Sequence, residues 1–291
     1  MRSWINYLLP WDFSPVVLLT CAACISLYAR GAAILSRRGQ SPGAWRMIAF
    51  FSGVGLDYAA LQTHFAYLSQ HMFWIHRLQH LILHHIAPFL LVGAGPGEAL
   101  RYGSPPWVRH GLRNLADRQL VGWVLGVLQS PVMSLALFVG IIYYWLIPSV
   151  HFAAMLDANR YLLMNWTMAI DGILFWWLML ATRERQGRLA VGYGIRLLVL
   201  CIAALLQILL GAYIALHRTV LFDVYGICGR AWTVSPLFDQ QLGGLLTWIP
   251  AAMMSGLGLI IVLHHILHES DPRFHRSLSP TTGDPSASGV G

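Results

Sequence analysis

Five histidines lie between residues 71 and 85, in the stretch HMFWIHRLQHLILHH, which leads directly into an apolar run. Met72, His76, His80 and His84 recur at every fourth position, and side chains with this spacing share one face of a helix. Each step descends about 6 Å, because a helix rises by about 1.5 Å per residue. The spacing therefore predicts a ladder of one thioether and three imidazoles that runs from an outer surface into an apolar helix.

The chemistry that this ladder favours is the binding of a soft or borderline metal. Imidazole with thioether suits Cu(I), and imidazole alone suits copper, zinc, iron or nickel. Ionisable groups within a membrane helix usually have a function, so we expect His76 and His80 to contact a metal or a haem near the outer surface, helped by Met72 and continued by His84. The alternative is that these histidines are ordinary polar residues at an interface.

A second helix must contribute further ligands, because two imidazoles on one helix do not complete a trigonal site. His64, at the end of one apolar run, and His151, just after another, are the candidates on the same side. Asp57 precedes His64 by two helical turns, where a carboxylate can orient an imidazole and raise its basicity. A carboxylate near the middle of a bilayer costs roughly 2.5–3.5 kcal/mol, so we expect Asp57 and Asp171 to face the interior of the bundle.

Composition identifies the surroundings of these residues as a membrane. The chain has 291 residues, of which 57% are hydrophobic and 11% charged, against about 25% charged in soluble proteins. Its mean hydropathy is +0.58. The net charge of +7 comes from arginines in short clusters between apolar runs, not along one solvated face, which argues against a nucleic-acid partner. No G-x-S-x-G, P-loop or H-E-x-x-H motif occurs, and we expect no enzyme.

The fold class that follows is an all-α membrane protein, a bundle of seven transmembrane helices. A helix needs roughly 20 apolar residues to cross a hydrocarbon core of about 30 Å. Seven runs meet this length: Val16–Leu35, Met47–Leu68, Leu78–Ala94, Leu120–Ile147, Tyr161–Ala181, Ile195–Leu216 and Leu242–Leu263. Three parts are predicted: an external segment 1–15, a transmembrane domain 16–268, and a disordered cytoplasmic tail 269–291.

Arginine placement predicts the orientation, because cytoplasmic connections carry an excess of basic residues. Fourteen of the 19 arginines fall in one set of connections: Arg30, Arg37, Arg38, Arg46, Arg101, Arg109, Arg113, Arg118, Arg183, Arg185, Arg188, Arg196, Arg273 and Arg276. The other five are Arg2, Arg77, Arg160, Arg218 and Arg230. The N-terminus is therefore expected outside and the C-terminus in the cytoplasm, and residues 69–77 and 218–241 are expected to form external loops.

Two further groups of residues are of types that bind metals, but the sequence does not decide their roles. Cys21 and Cys24 could form a Cu(I) dithiolate or serve as small packing residues of the first span. His264 and His268 could be a second metal contact or the polar end of the last helix.

Four motifs resemble the multi-spanning CtaG family of bacterial cytochrome c oxidase assembly factors. They are PWDFSPVVLL followed by LYARG, HRLQHLILHHIAPFLLVGAGP, ILFWWLML, and SPLFDQQLGGLLTWIP. The similarity covers roughly residues 10 to 268. Arg77 stands where the family usually has Met, Leu146 where it tends to have His, and Asn165 in place of another His. The family's helical ligands therefore carry over at His76 and His80, and His151 can replace a lost ligand.

The resemblance implies a protein of the bacterial cytoplasmic (inner) membrane that helps to build the haem–copper centre of oxidase subunit I. It implies copper as the metal, with subunit I and periplasmic copper chaperones as partners. Gln79 and Asp239 lie within the family motifs. We expect Gln79 to support the ligands, and Asp239 either to cap the last helix or to belong to a loop that orients them.

Two other functions compete with copper delivery. The first is a membrane electron carrier that binds haem through two histidines of facing helices. The second is a metal transporter, which would need ligands along a path to both faces and usually has an internal repeat. No such repeat is visible in the sequence.

A reporter fusion tests the orientation. A reporter attached after residue 276 should be active in the cytoplasm, because the arginine bias places this end inside. Activity confined to the periplasm would overturn the predicted topology.

Overall fold

The protein was analysed as a computed structural model that describes residues 14–181 and 190–269. These residues form helices and connections without a β-strand. The helices are α1 Pro15–Arg37, α2 Ala44–Gln62, α3 His64–His71, α4 Phe73–Leu81, α5 Ala87–Gly93, α6 Gly97–Gly103, α7 Pro106–Ala116, α8 Gln119–Leu128, α9 Pro131–Trp145, α10 Pro148–Met155, α11 Ala158–Leu180, α12 Tyr193–Leu216, α13 Val224–Ile227 and α14 Pro236–Glu269. A π-helical turn, Ile82–Ile86, joins α4 to α5.

Several of these helices are long and apolar enough to cross a membrane, which confirms the expected class of helical membrane protein. Four qualify alone within the described ranges, namely α1, α11, α12 and the part of α14 that ends at Leu267. The number rises to six if each of two bent pairs is one span: Phe73–Gly93 with α6, bent by 75°, and α8 with α9, bent by 66°. The count of seven and the orientation stay predictions. Residues 1–13 of the predicted external segment 1–15, and residues 270–291 of the predicted tail 269–291, lie outside the described residues.

Two predicted spans are interrupted where side chains or proline end the helix. Met47–Leu68 divides at Thr63, whose hydroxyl donates to the carbonyl of Ala59 and accepts the amide of Phe65. Such local hydrogen bonds compete with the backbone hydrogen bonds of the helix. Leu120–Ile147 divides before Pro131, which has no amide hydrogen and begins a new helix.

The connection between the second and third spans is also shorter than expected. Residues 69–77 were expected to form an external loop, but Met72 alone is non-helical between α3 and α4. As a result, Arg77 lies inside the bundle and not on an outer surface.

The last two long helices, α12 and α14, approach each other closely through glycine. A methyl group added at Gly244 would lie 2.5 Å from the backbone nitrogen of Ala215, and one at Gly211 would lie 2.5 Å from the Cβ of Trp248. Small residues allow this approach between membrane helices. The expectation that the glycines of DQQLGG admit a close neighbour is confirmed at Gly244.

A matched pair of substitutions tests this contact. Gly244→Ala should lower the free energy of unfolding by about 1–3 kcal/mol, because the added methyl meets backbone atoms that cannot move aside. Gly256→Ala, on the same helix, meets no atom within 4 Å and should leave stability equal or up to about 1 kcal/mol higher. Unfolding of the purified protein in detergent measures both, and equal effects would contradict the close packing.

Candidate metal centre

The helix that carries the histidines, α4, is held at its N-terminus by a carboxylate from the other end of the chain. The first amides of a helix have no partner within it, and the N-cap residue Met72 offers no side-chain bond. The amide of Phe73 donates to Oδ2 of Asp239 at 3.1 Å, and that of Trp74 donates to Oδ1 at 2.9 Å. Arg230 also forms an ion pair with Asp239. This buried carboxylate therefore fixes where α4 begins.

This arrangement corrects the expected cap. Asp239 was expected either to cap its own helix, α14, or to belong to a loop that orients the ligands. It lies in the first turn of α14 and caps α4 instead. The hydroxyl of Ser235 accepts the amide of Phe238 at 3.2 Å and so caps α14. The cap on α14 was expected because Asp239 is close to that helix along the chain. The carboxylate instead accepts hydrogen bonds from the amides of Phe73 and Trp74, which lie 166 and 165 residues away.

Gln79 ties the middle of α4 to two neighbouring helices. Its amide group donates to the carbonyl of Ala60 in α2 at 2.7 Å, and its oxygen accepts the hydroxyl of Tyr161 in α11 at 3.0 Å. The Tyr161 oxygen lies 2.7 Å from the hydroxyl of Ser69. Gln79 is fully buried, so these bonds fix the rotation of α4 about its axis.

The rings of His76, His80 and His151 form one cluster inside the bundle. The ring centres of His76 and His80 are 4.2 Å apart, and those of His76 and His151 are 5.0 Å apart. Within the part of the chain that the structure describes, both ring nitrogens of His76 are buried without a hydrogen-bond partner. We expected these imidazoles at a wet surface, but His76 has an exposed fraction of 0%. The short connection before α4 and the packing of Phe73 against Gly243 of α14 enclose them.

His151 is oriented by bonds to both ring nitrogens. Its Nδ1 lies 3.1 Å from the carbonyl oxygen of Trp145. A carbonyl only accepts hydrogen bonds, so Nδ1 carries the proton and Nε2 has the lone pair. That lone pair accepts the hydroxyl of Tyr225 at 2.9 Å. A ring whose N–H donates to a backbone carbonyl is the usual arrangement of a metal-binding histidine.

Arg77 places a cation beside this cluster. Its Nε donates to the hydroxyl of Thr247 at 2.8 Å, and its Nη1 donates to Nδ1 of His80 at 3.2 Å. The guanidinium is buried, and no carboxylate of the described ranges pairs with it. Because Nδ1 of His80 accepts from Arg77, the proton of a neutral His80 lies on Nε2.

The π-helical turn separates His84 from the predicted ladder. The extra residue in this turn rotates the helix face, so His84 and His85 form a second pair with ring centres 5.0 Å apart. This pair lies further along the predicted span Leu78–Ala94 and is called the deeper pair below. Nε2 of His84 lies 3.1 Å from Asp171, and Nε2 of His85 lies 3.1 Å from the Gln207 oxygen. Both Nδ1 atoms are buried without a partner. The ladder is therefore two clusters on one helical stretch, and His85, expected to point elsewhere, belongs to the second.

The remaining candidates, Met72 and His64, lie at the two ends of α3. Met72 is fully buried at the junction between α3 and α4. His64 begins α3 and stacks on Tyr67, with ring centres 5.0 Å apart.

Asp57 borders an apolar cavity of about 380 Å³ together with Cys21 and Cys24. Its Oδ1 is buried without a hydrogen-bond partner. Asp57 faces the interior, as does Asp171. His264 lies near the end of α14, and the side chain of His268 falls outside the described residues.

The cluster is not a preformed metal cage. No group of three or more His, Cys, Asp or Glu side chains is arranged to hold a metal ion in the described part of the chain. A cavity of about 10 Å³, room for roughly one water, lies between Arg77, His80, His84 and His85. A metal would therefore require side chains to move.

Sequence reasoning missed three residues that orient these histidines, namely Tyr225, Tyr161 and Gln207. Each contacts its histidine, or the neighbour of one, across more than 70 positions of the chain. Gln207, a polar residue in the apolar run Ile195–Leu216, was the one local signal. The short segment that carries Tyr225 has no pattern that would indicate a contact.

Fold and site together define a helical membrane protein with histidines enclosed in its core. The model of the caa3 cytochrome c oxidase assembly factor family (Caa3_CtaG) matches residues 26–269, and the chain belongs to this family. This match confirms the resemblance seen in the four sequence motifs.

Two curated relatives share part of their length with this chain. They are uncharacterized proteins of Mycobacterium bovis and Mycobacterium tuberculosis, each 30% identical over 253 residues, which cover 82% of this chain. The aligned region is 36% of each relative, so the chain spans about a third of their length. No solved structure matches the chain significantly.

Hydrogen exchange tests the cap on α4. Asp239→Asn should weaken it by about 1.5–3 kcal/mol, because bonds to a charged acceptor are replaced by bonds to a neutral amide. The amides of Phe73 and Trp74 should then exchange faster. Ser235→Ala is the control: it should accelerate exchange in the first turn of α14 and leave Phe73 unchanged. Unchanged protection at Phe73 and Trp74 in Asp239→Asn would contradict the cap.

Proposed function

We propose that this chain is a non-catalytic factor of the bacterial cytoplasmic membrane that takes part in assembling a caa3-type cytochrome c oxidase. In this proposal its histidine cluster holds Cu(I) as cargo, received from a periplasmic copper chaperone and passed to the haem–copper centre of subunit I. The observation that carries the copper step is His76, whose two ring nitrogens are both buried without a partner beside two further imidazoles.

The energetics of His76 support a ligand at this position. A buried polar atom without a partner costs about 1–3 kcal/mol, so an enclosed imidazole with two such atoms is costly unless something binds it. Imidazole suits copper. A soft cation beside His76 would use the free lone pair of this ring. His80 would join it once the hydrogen bond from Arg77 to its Nδ1 is broken.

His151 is the third ligand in this proposal. Its Nδ1 proton is held by the Trp145 carbonyl, so Nε2 can bind a metal once the Tyr225 hydroxyl turns away. Three imidazoles make a site with fewer ligands than the closed four-ligand cages of structural metals. Such a site suits a protein that must release its cargo.

A haem site is less compatible with this arrangement. His76 and His80 lie one turn apart on a single helix, whereas axial ligands of haem approach from opposite faces. The cavity beside His80 has about 10 Å³, which does not accommodate a macrocycle. The pair His84 and His85 supports the transporter hypothesis, because it offers metal ligands further along the predicted path. Copper uptake into sealed vesicles would distinguish a transporter from an assembly factor.

Paired substitutions on one helical stretch test the copper site. His76→Gln with His80→Gln should abolish stoichiometric Cu(I) binding by the purified protein, because glutamine keeps polarity and approximate size but is a poor ligand for soft metals. His84→Gln with His85→Gln should retain copper. Metal analysis under reducing conditions measures both, with protein abundance as the control for folding.

Each outcome of this comparison decides between sites. Loss of copper in the first pair alone supports the cluster of His76, His80 and His151. Loss in the second pair alone would place the metal at the deeper pair, and retention in both would refute a histidine site in α4 and the turn after it.

A substitution at Arg77 is expected to raise the Cu(I) affinity, whereas the histidine substitutions lower it. Arg77→Met removes a buried cation beside the site and releases Nδ1 of His80, so Cu(I) affinity should rise by about ten-fold or more. Leu81→Met is a control that adds a thioether on the same helix without removing charge. Competition with a colourless Cu(I) chelator measures affinity, and weaker binding by Arg77→Met would contradict this view of the site.

A further inference from the structure

A basic cavity lies between α6 and α7, and its lining includes none of His76, His80 and His151. It has a volume of about 270 Å³, and its lining includes Leu100, Arg101, Ser104, Arg109, Leu112 and Arg113. This is several times the roughly 30 Å³ of one water molecule. The cavity therefore has room for a group larger than a single small ion.

Within residues 14–181 and 190–269, no carboxylate forms an ion pair with the three arginines at this cavity. Glu98 in α6 and Asp117 at the C-cap of α7 are the nearest acids along the chain. Three like charges around one cavity repel each other, and an anion bound between them would relieve this repulsion.

The helix α7 has the character of an interfacial helix. Trp107 and Leu115 are exposed on one side, Trp107 by 76%. Arg109 and Arg113 lie on another side at helical spacing, next to Leu112, and no residue of α7 is buried. A short helix with an aromatic and apolar face and a basic face lies in the plane of a membrane surface.

We propose that this cavity binds the headgroup of an anionic phospholipid. The phosphate accepts hydrogen bonds from Arg101, Arg109 and Arg113. A guanidinium group can donate two parallel hydrogen bonds to the oxygens of one phosphate. The acyl chains leave the cavity along Leu100 of α6 and Leu112 of α7, which line it beside the arginines. Basic pockets beside membrane helices bind anionic lipid headgroups by this chemistry. This proposal does not depend on copper binding.

Lipid retention by the full chain tests the proposal. The purified protein is reconstituted into phosphatidylcholine discs with or without phosphatidylglycerol, and bound lipid is measured by native mass spectrometry after release into detergent. The variant Arg101→Gln, Arg109→Gln, Arg113→Gln should retain phosphatidylglycerol about a hundred-fold less tightly, and a single substitution about five-fold less. Phosphatidylcholine retention should not change.

The matched control removes three arginines that lie outside the cavity. Arg30→Gln, Arg37→Gln, Arg46→Gln lowers the net charge equally and should retain phosphatidylglycerol as the natural sequence does. Arg109→Lys keeps the charge, should keep most of the binding, and shows that the cavity still forms. Equal loss in the control and cavity variants would overturn the proposal.

Inorganic phosphate distinguishes a lipid from a free anion. Phosphate at concentrations equal to those of the lipid should displace little phosphatidylglycerol, because it lacks the acyl chains that lie along α7. Displacement by equimolar phosphate would overturn the lipid assignment, and retention of phosphatidylglycerol by the triple cavity variant would overturn the site.

Discussion

The contact between α4 and α14 determines where the histidines lie. Asp239, Gly243 and Thr247 occur at four-residue spacing on α14 and so share one face. Asp239 accepts the first amides of α4, Gly243 leaves space for the Phe73 ring, and Thr247 accepts Arg77. These three contacts fix the start, the distance and the rotation of α4. The buried carboxylate is the strongest of them, because it bonds two helix amides and a guanidinium at once.

The polar interior that follows from this contact is costly and incompletely satisfied. Among the described residues, no carboxylate pairs with the buried Arg77, and no group bonds the two ring nitrogens of His76. Groups of this kind in a membrane protein usually mark a functional site. The anchors around them are, in contrast, fully bonded: Gln79 and His151 use both of their polar ends. Rigid supports around partner-free imidazoles are what a small-cargo site requires.

The class of fold and the importance of α4 could be predicted from the sequence, because both depend on local patterns. Apolar runs indicated membrane helices, and the spacing of His76 and His80 placed them on one face. Contacts between distant residues could not be predicted in this way. The cap from Asp239, the bond from Tyr225 and the π-helical turn that moves His84 off the ladder depend on how whole helices meet. Pro131 lies between these two cases: a proline in an apolar run indicates a helix break, and the structure has that break before α9.

X-ray absorption at the copper edge of the Cu(I)-loaded protein tests the central claim most directly. The account predicts two or three nitrogen neighbours with the multiple-scattering pattern of imidazole and no thiolate sulfur, because His76, His80 and His151 are the proposed ligands. A spectrum dominated by sulfur would instead indicate cysteine or methionine ligands, for example Cys21 and Cys24. That result, or the absence of bound copper, would contradict the histidine site.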